Sequence, residues 1–452
     1  MSSGAAPLFD APVQTGLVPL VRLAAPVVAS RLGIMAMGLV DTVVVGQYSA
    51  TQLGYHALGW APTGVVLMTS VGLLSGLQVM TSQAIGDGRA ADTGAILRRG
   101  LAYATWIGIV AALLLGLGGG PFMHVIGLET SLADGATPVL QLFAISLLPI
   151  LVADAGIFWL EAHGRAVPGM IAMWAANIVN LVVNLWLVPG GNMFGVSGAA
   201  ASAWATLASR VALLVTVAVI ILVWRESRRL GVMAPAPHDP VAARDMRRVG
   251  YGAATSYFIE SLAFSAMTIF AGWVGALAVA AWAIVLNVAA LIFMVPLGLA
   301  VATSVMVGRA YGAGDKPALL SSARLGFGVT SAVLLLVSAG IALAPEPLAR
   351  AYTGDPAVVT MTAAALLLSS LFFVADGLQV VAAQCLRARS DIVAPTLTHV
   401  VSYVAVMMPL GWWLGVHRGM GVDGLVWSII VASLVSAVLL WGRFVWLSRR
   451  EI

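Results

Sequence analysis

Long apolar stretches follow one another along the whole chain, separated by short segments rich in glycine, proline or charge. An α-helix needs about 20 apolar residues to cross a hydrocarbon core of roughly 30 Å, and each stretch reaches that length. The pattern therefore predicts an all-α polytopic membrane protein with twelve transmembrane helices and no separate soluble domain. The predicted spans are 17–45, 52–79, 94–118, 137–160, 168–189, 195–224, 246–272, 279–308, 321–344, 358–386, 394–415 and 421–447.

Composition supports a lipid environment. The 452 residues are 60% hydrophobic and only 9% charged, whereas soluble domains carry roughly 25% charged residues. The N-terminus has neither a basic segment nor a small-residue cleavage site, so we expect span 1 to be retained rather than removed as a signal peptide. The single cysteine, Cys385, excludes an intrachain disulfide and a cysteine metal site.

Basic residues lie mainly on one side of the predicted spans. The loops after even-numbered spans are rich in arginine, whereas the opposite loops hold only Arg350 and Arg418. This positive-inside bias predicts a multi-pass protein of the bacterial inner membrane with both termini in the cytoplasm. The basic segment between spans 6 and 7 is then a solvated linker rather than a nucleic-acid site.

The second half of the chain repeats the first at an offset of 226 residues. Arg22 falls on Arg248 and Arg98 falls on Arg324. Repeats in the same orientation predict two pseudo-symmetric six-helix lobes, and transporters commonly bind substrate between such repeats. We assign 1–224 to an N-lobe, 225–245 to a cytoplasmic linker and 246–452 to a C-lobe.

Acidic residues deep in apolar stretches are the candidate functional groups, because a charge in the membrane costs several kcal/mol and usually lines a cavity or carries function. The acids that meet this criterion are Asp41, Asp154, Glu260 and Asp376. Such a carboxyl group can exchange a proton when desolvated or, when ionised, bind a hard cation.

In the first repeat, Asn177, Asn180 and Asn184 form one stripe on span 5. Spans 1 and 5 run in the same direction, so Asp41 and Asn184 should lie at similar depth and form a proton or cation site. Interhelical hydrogen bonding without a transport role is the alternative for the stripe. Arg31 and Arg210 also lie inside apolar stretches, where they either neutralise an acid or extend towards the interface.

The chain resembles the multidrug and toxin extrusion (MATE) transporters, in particular their NorM-like bacterial branch. The resemblance rests on Val40-Asp41-Thr42, Gln83–Arg89, Asn180-x-x-x-Asn184, Phe258-Ile-Glu260, Leu286-Asn287, Pro296-Leu-Gly298 and Asp376-Gly-Leu-Gln379, in that order along the chain. Some NorM-like members carry a tyrosine one turn before the span-10 acid, where this chain has Phe372.

The resemblance implies two lobes around a central cavity that opens alternately to each side, and export of bulky, often cationic compounds in exchange for H⁺ or Na⁺. It implies a cation site in the C-lobe at Glu260 and Asp376, which would be the ligands if the ion is Na⁺. From its position beside the asparagine stripe, we expect Asp41 to take part in coupling as well. Asp355 matches a further acidic position of some relatives or is a solvated loop residue. Asn287 is a supporting polar position.

Other interpretations remain open at this point. Val152-Ala-Asp154 repeats Val374-Ala-Asp376, so Asp154 is either the repeat counterpart of Asp376 or a structural partner of a base. A lipid-linked oligosaccharide flippase is the alternative transport function, although its anionic cargo would need more than two core arginines. The scattered histidines give no catalytic or metal spacing, so we expect no enzyme. We expect small-molecule drugs and membrane lipid as partners, no nucleic acid, no cofactor besides the coupling ion, and a functional monomer.

Overall fold

The computed structural model describes residues 15–192, 194–235 and 239–450, and every regular element in these ranges is helical. The N-terminal residues that bear on the signal-peptide prediction lie outside them. The main helices are α1 Leu17–Tyr48, α2 Ala50–Gly86, α3 Thr93–Val125, α4 Thr130–Ala162, α5 Ala166–Leu187, α6 Gly198–Val223, α7 Pro240–Val274, α8 Ala276–Gly312, α9 Lys316–Leu343, α10 Pro345–Arg350, α11 Pro356–Ser369, α12 Phe373–Ala388, α13 Val393–His417 and α14 Gly421–Arg450. Short 3₁₀ turns cover Ala90–Asp92 and Arg225–Ser227.

Eleven of the described helices are long and apolar enough to cross a membrane, and the bent pair α11 and α12 gives a twelfth span if counted as one. This confirms the predicted fold class. Most helices are longer than their predicted spans; α4, for example, covers Thr130–Ala162 instead of 137–160. Apolar length marks only the part of a helix that lies in lipid, so it misses polar turns at either end.

The tenth span differs from its prediction, because it is not one continuous helix. The chain turns at residues 370–372, and α11 and α12 meet at 49°. Asp376 therefore lies in the first turn of α12. The N-terminal end of a helix carries a partial positive charge, which favours a carboxylate there. By contrast α4, which carries Asp154, is unbroken despite Pro149.

Helix α13 also departs from regular α-helix. Val400–Met407 and Trp412–His417 are π-helical, with a short α-helical segment, Met408–Gly411, between them. Hydrophobic patterning gives no sign of these segments, since the apolar stretch is continuous. Such π-helical turns are rare and occur often at functional sites.

The chain divides into two compact units whose boundaries fall inside helices. One unit contains the described residues through Val28 together with Thr255–Ile452, and the other contains Ala29–Ala254. In the second unit, Gly250 of α7 packs so closely on Leu73 of α2 that a side chain would clash with its backbone. The lobe limits drawn from the sequence remain a prediction.

Candidate functional site

A buried carboxylate of α1 is held by three donors from two other helices. Oδ1 of Asp41 accepts hydrogen bonds from the amide groups of Asn180 (2.9 Å) and Asn184 (2.7 Å) on α5. Oδ2 accepts from the hydroxyl of Thr206 on α6, at 2.7 Å. We call these four residues the Asp41 cluster, and each is at most 3% exposed. The structure thus brings Asp41 and Asn184 together, and adds Thr206, which has no sequence signal beyond its place in an apolar stretch.

The Asp41 cluster is rich in oxygen. The side-chain carbonyl oxygens of Asn180 and Asn184 are buried and have no hydrogen-bond partner among the described residues. Asn177, the third member of the predicted stripe, instead donates to the carbonyl of Met173 in its own helix. The stripe therefore contributes two of its three asparagines to the site, because one helical turn further from Asp41 the geometry no longer allows contact.

In the other unit, two acids are linked through two intervening side chains. The Tyr403 hydroxyl donates to Oε1 of Glu260 at 3.1 Å and accepts from Nε2 of Gln379 at 3.0 Å. The same amide nitrogen lies 3.4 Å from Oδ1 of Asp376. We call these four residues the Glu260 cluster. It joins α7, α12 and the first π-helical segment of α13, which carries Tyr403.

Within the Glu260 cluster, Gln379 has several polar contacts that hold its side-chain amide in place. Its carbonyl oxygen contacts Nε2 of His399 at 3.1 Å and accepts from the hydroxyl of Ser436 at 3.1 Å. Gln379 is fully buried, Tyr403 is 1% exposed and Asp376 is 9% exposed. These contacts orient the Gln379 amide so that its nitrogen can donate to both Tyr403 and Asp376.

Tyr403 was not predicted from the sequence as a site residue. Phe372, at the position where some NorM-like members have tyrosine, is buried against Phe373 with ring centroids 4.7 Å apart and offers no hydroxyl. The phenol beside Glu260 comes instead from α13. In the sequence, Tyr403 is noticeable only as a tyrosine within an apolar stretch. Its partner Glu260 lies 143 positions away, so the pairing cannot be predicted from the sequence.

Two predicted supporting residues lie apart from the acids. Asn287 accepts a hydrogen bond from the Tyr352 hydroxyl at 2.9 Å, and both side chains are exposed. Asp355 is the exposed N-cap of α11, where its side chain accepts from the backbone N–H of Ala357. The structure thus gives Asp355 a capping contact and does not join either residue to the Glu260 cluster.

A third group of buried charges lies in the unit of residues 29–254. Arg31 forms an ion pair with Glu161 across 3.7 Å, and Gln78 donates to the other carboxylate oxygen at 2.8 Å. We call these three residues the Arg31 cluster. Glu161 is 1% exposed. Sequence analysis missed it because the predicted span ended at 160, one residue before Glu161.

Asp154 and Arg210 lie in the same unit and are both buried. Arg210 donates to the Ser146 hydroxyl at 2.7 Å, and its guanidinium lies over the Trp60 ring. Oδ1 of Asp154 has no hydrogen-bond partner among the described residues. Arg31 and Arg210 are therefore held inside their unit by polar and aromatic groups and do not extend to solvent.

The chemistry available to these groups is proton or cation binding. Among the described residues, no three or more His, Cys, Asp or Glu side chains come together as a metal site would require. Hydroxyl and amide oxygens can also be ligands of Na⁺, and both the Asp41 and Glu260 clusters contain such oxygens. Transport roles for the named residues remain predictions.

The sequence model of the family described as MatE matches residues 26–186 and again residues 253–413. This chain belongs to the MatE family. The two matches repeat the internal symmetry found in the sequence, and they confirm the resemblance to MATE transporters. Asp41 lies in the first match, and Glu260 and Asp376 lie in the second.

Curated relatives of this MatE protein cover nearly its whole length. A protein of Caulobacter vibrioides named "Probable multidrug resistance protein NorM" is 48% identical over 97% of this chain and 93% of its own. One of the same name from Rhodopseudomonas palustris is 31% identical over 98% of this chain and 94% of its own.

Solved structures share the fold of this MatE protein. One described as the outward-facing conformation of a multidrug resistance MATE family transporter has a TM-score of 0.88 over 96% of both chains, at 19% identity. A MOP superfamily transporter from Pyrococcus furiosus has a TM-score of 0.86 over 94% of this chain and 95% of its own, also at 19% identity. At these identities the likeness concerns the fold alone.

Proposed function

We propose that this protein is a secondary active multidrug exporter of the bacterial inner membrane. It expels amphipathic, often cationic compounds in exchange for H⁺ or Na⁺, works as a monomer and has both termini in the cytoplasm. No covalent chemistry on the cargo is involved. The observation that carries the proposal is an acid cluster within the spanning helices of each repeat, the fully buried Asp41 cluster and the partly buried Glu260 cluster.

The contacts of the two clusters suit ion exchange. The two carboxyl oxygens of Asp41 together accept three hydrogen bonds from neighbouring side chains. The side-chain carbonyl oxygens of Asn180 and Asn184 have no hydrogen-bond partner among the described residues, so they can bind a small hard cation, whereas a proton would go to the Asp41 carboxylate. In the Glu260 cluster, Tyr403 and Gln379 give a hydrogen-bonded connection between the two acids, which couples their charge states.

The names of the relatives support multidrug compounds as cargo, and none of those reported above is named as a flippase. In the proposed cycle, a coupling ion entering a cluster neutralises its acid and releases a cationic drug outside. Discharge of the ion inwards restores the acid. A membrane potential of 100 mV supplies roughly 2.3 kcal/mol per charge moved, enough to sustain a concentration ratio of tens.

The test is ethidium efflux from loaded right-side-out vesicles of cells that lack their own pumps, with a pH or Na⁺ gradient imposed separately. We expect gradient-dependent efflux from wild type, and loss of at least tenfold in Glu260→Gln and Asp376→Asn. Glu346→Gln is the matched control, because Glu346 is an exposed acid paired with Arg350. Efflux that is equal in wild type and both site variants would refute coupling through the Glu260 cluster.

A further inference from the structure

An open cleft of about 370 Å³ lies between one end of α9 and one end of α14, within a single compact unit. Its cations project from both helices. Its lining residues are Lys316, Leu320, Arg324, Trp441, Phe444, Val445, Ser448 and Arg449. We call it the lysine cleft, because Lys316 is the only lysine in the chain.

Among the described residues, the lining of the lysine cleft carries positive charge and no carboxylate. Lys316, Arg324 and Arg449 line it, and the Lys316 ammonium is buried with no hydrogen-bond partner among the described residues. The adjacent acid, Asp315, is used by its own helix as the N-cap and accepts from the N–H of Ala318 at 2.9 Å. A buried ammonium group without a partner is costly, so the cleft favours an anion.

In the first repeat, the counterpart of Arg324 shows which kind of group binds an arginine at this position. Arg98, the counterpart of Arg324, donates to the backbone carbonyl oxygens of Gly231 and Val232 at 2.5 and 2.6 Å. Four residues earlier, the N–H of Gly94 donates to the carbonyl of Leu230 at 2.8 Å. In the first repeat, oxygen atoms of the linker therefore satisfy the arginine.

The second repeat cannot be filled by a backbone segment in the same way. Gly94 corresponds to Leu320 at the offset of 226. A side chain at Gly94 would collide with the backbone of Leu230 and Gly231. With leucine at this position, a backbone segment cannot approach as closely as the linker does at Gly94, which leaves room in the second repeat for a different ligand.

The surroundings of the lysine cleft are those of a membrane interface. Trp441 is 42% exposed, and its ring packs edge-on against Phe327 at 4.3 Å. Close by, Trp446 lies under the guanidinium groups of both Arg443 and Arg450. Aromatic and basic side chains are enriched where spanning helices leave the hydrocarbon region. The apolar side of the cleft, Leu320 and Val445, is suited to acyl chains.

We propose that the lysine cleft binds the phosphodiester headgroup of an anionic phospholipid from the cytoplasmic leaflet. Lys316 and Arg324 bind the phosphate oxygens from α9, and Arg449 binds them from α14. Basic clefts between spanning helices on the cytoplasmic side are known to hold such headgroups. The site is separate from the acid clusters and requires no assumption about cargo.

The single lysine allows a direct test. Purified full-length protein in neutral detergent is treated with an amine-reactive ester, and modification of Lys316 is followed by peptide mass spectrometry. Phosphatidylglycerol should slow the modification at least fivefold, whereas phosphatidylcholine and inorganic phosphate at equal concentration should not. Equal protection by phosphatidylcholine would refute an anion site, and equal protection by inorganic phosphate would refute the lipid as the source.

Variants separate this site from general charge attraction. We expect Arg324→Gln/Arg449→Gln to bind phosphatidylglycerol about thirtyfold more weakly, since the double variant removes two of the basic residues that attract an anionic lipid. The matched control is Arg228→Gln/Arg229→Gln, which removes two exposed charges from the linker. Lys316→Arg should retain binding. Equal weakening in the control, or none in the cleft variant while the protein stays monodisperse, would overturn the proposal.

Discussion

The Tyr403 hydroxyl donates a hydrogen bond to Oε1 of Glu260, from a π-helical segment of α13 to the middle of α7. The same hydroxyl accepts from Gln379, which contacts Asp376. One phenol thus lies between the two acids to which we assign ion coupling. This geometry makes Tyr403 the most informative position for separating coupling from stability.

We expect Tyr403→Phe to lower gradient-driven ethidium efflux roughly tenfold, because a hydrogen bond to a charged group contributes about 1.5–3 kcal/mol. The ring stays in place, so the protein should remain folded in detergent, with a loss of no more than about 1.5–3 kcal/mol in the free energy of unfolding, and efflux is compared per amount of folded protein. Tyr352→Phe is the control, because it removes a hydroxyl that contacts Asn287 outside the cluster. Efflux equal to wild type in Tyr403→Phe would show that the phenol has no part in coupling.

In the Asp41 cluster, Thr206→Val removes the donor to Oδ2 of Asp41 while preserving side-chain shape. We expect a loss of about 1.5–3 kcal/mol in the free energy of unfolding, together with reduced efflux. Thr216→Val on the same helix is the control, since its hydroxyl contacts only the carbonyl of Ala212. Thermal unfolding in detergent and vesicle efflux measure the two effects, and equal stability of both variants would contradict the prediction.

The Arg31 cluster predicts strong coupling between two mutations. Glu161→Leu leaves Arg31 buried without its acid, and should cost about 3–5 kcal/mol of stability. The double variant Arg31→Met/Glu161→Leu should recover most of that loss, because neither charge then remains. Additive losses in the double-mutant cycle would show that the 3.7 Å pair does not interact energetically.

For that cycle, the exposed pair Glu346 and Arg350 provides the comparison. Its side chains are 56% and 69% exposed. Replacing either partner by glutamine should change stability by less than about 1 kcal/mol, since solvent screens exposed pairs. A large effect there would indicate a general sensitivity of the protein and would weaken the conclusion drawn from Arg31.

Gly94→Ala should loosen the linker from α3, because the added carbon would meet the backbone of Leu230 and Gly231. We expect a lower unfolding temperature and faster proteolytic cleavage between α6 and α7. Gly118→Ala on the same helix meets no atom within 4 Å and should be neutral or slightly stabilising. Equal cleavage rates in the two variants would rule out a contact between linker and helix that matters in solution.

Much of the fold could be predicted from the sequence, because lipid imposes long apolar stretches and the basic loops mark their ends. The position of Asp41 opposite Asn180 and Asn184 followed from helix direction and spacing alone. The break at residues 370–372 did not, since neither proline nor glycine occurs there. The residue types at the break therefore give no local sign of it.

The site residues that were not predicted from the sequence were missed for one physical reason. Tyr403, Gln379 and Thr206 gain their roles from partners on other helices, at separations of 24 to 165 residues. A single sequence indicates how deep a residue lies in the membrane and on which face of its helix it sits. It does not indicate which helix faces contact each other. Glu161 was missed for a simpler reason, because the predicted end of a span fell one residue before it.

The contacts of Asp41 and Asp376 differ in strength although both acids lie in matching repeats. Asp41 is held by three short bonds of 2.7–2.9 Å, whereas the polar neighbours of Asp376, Gln379 and Ser433, remain at 3.4 Å. An incoming ion must therefore displace short hydrogen bonds at Asp41, whereas at Asp376 it would displace only long ones. We expect the two repeats to bind the coupling ion at different rates, so that one transporter would contain a fast and a slow ion site.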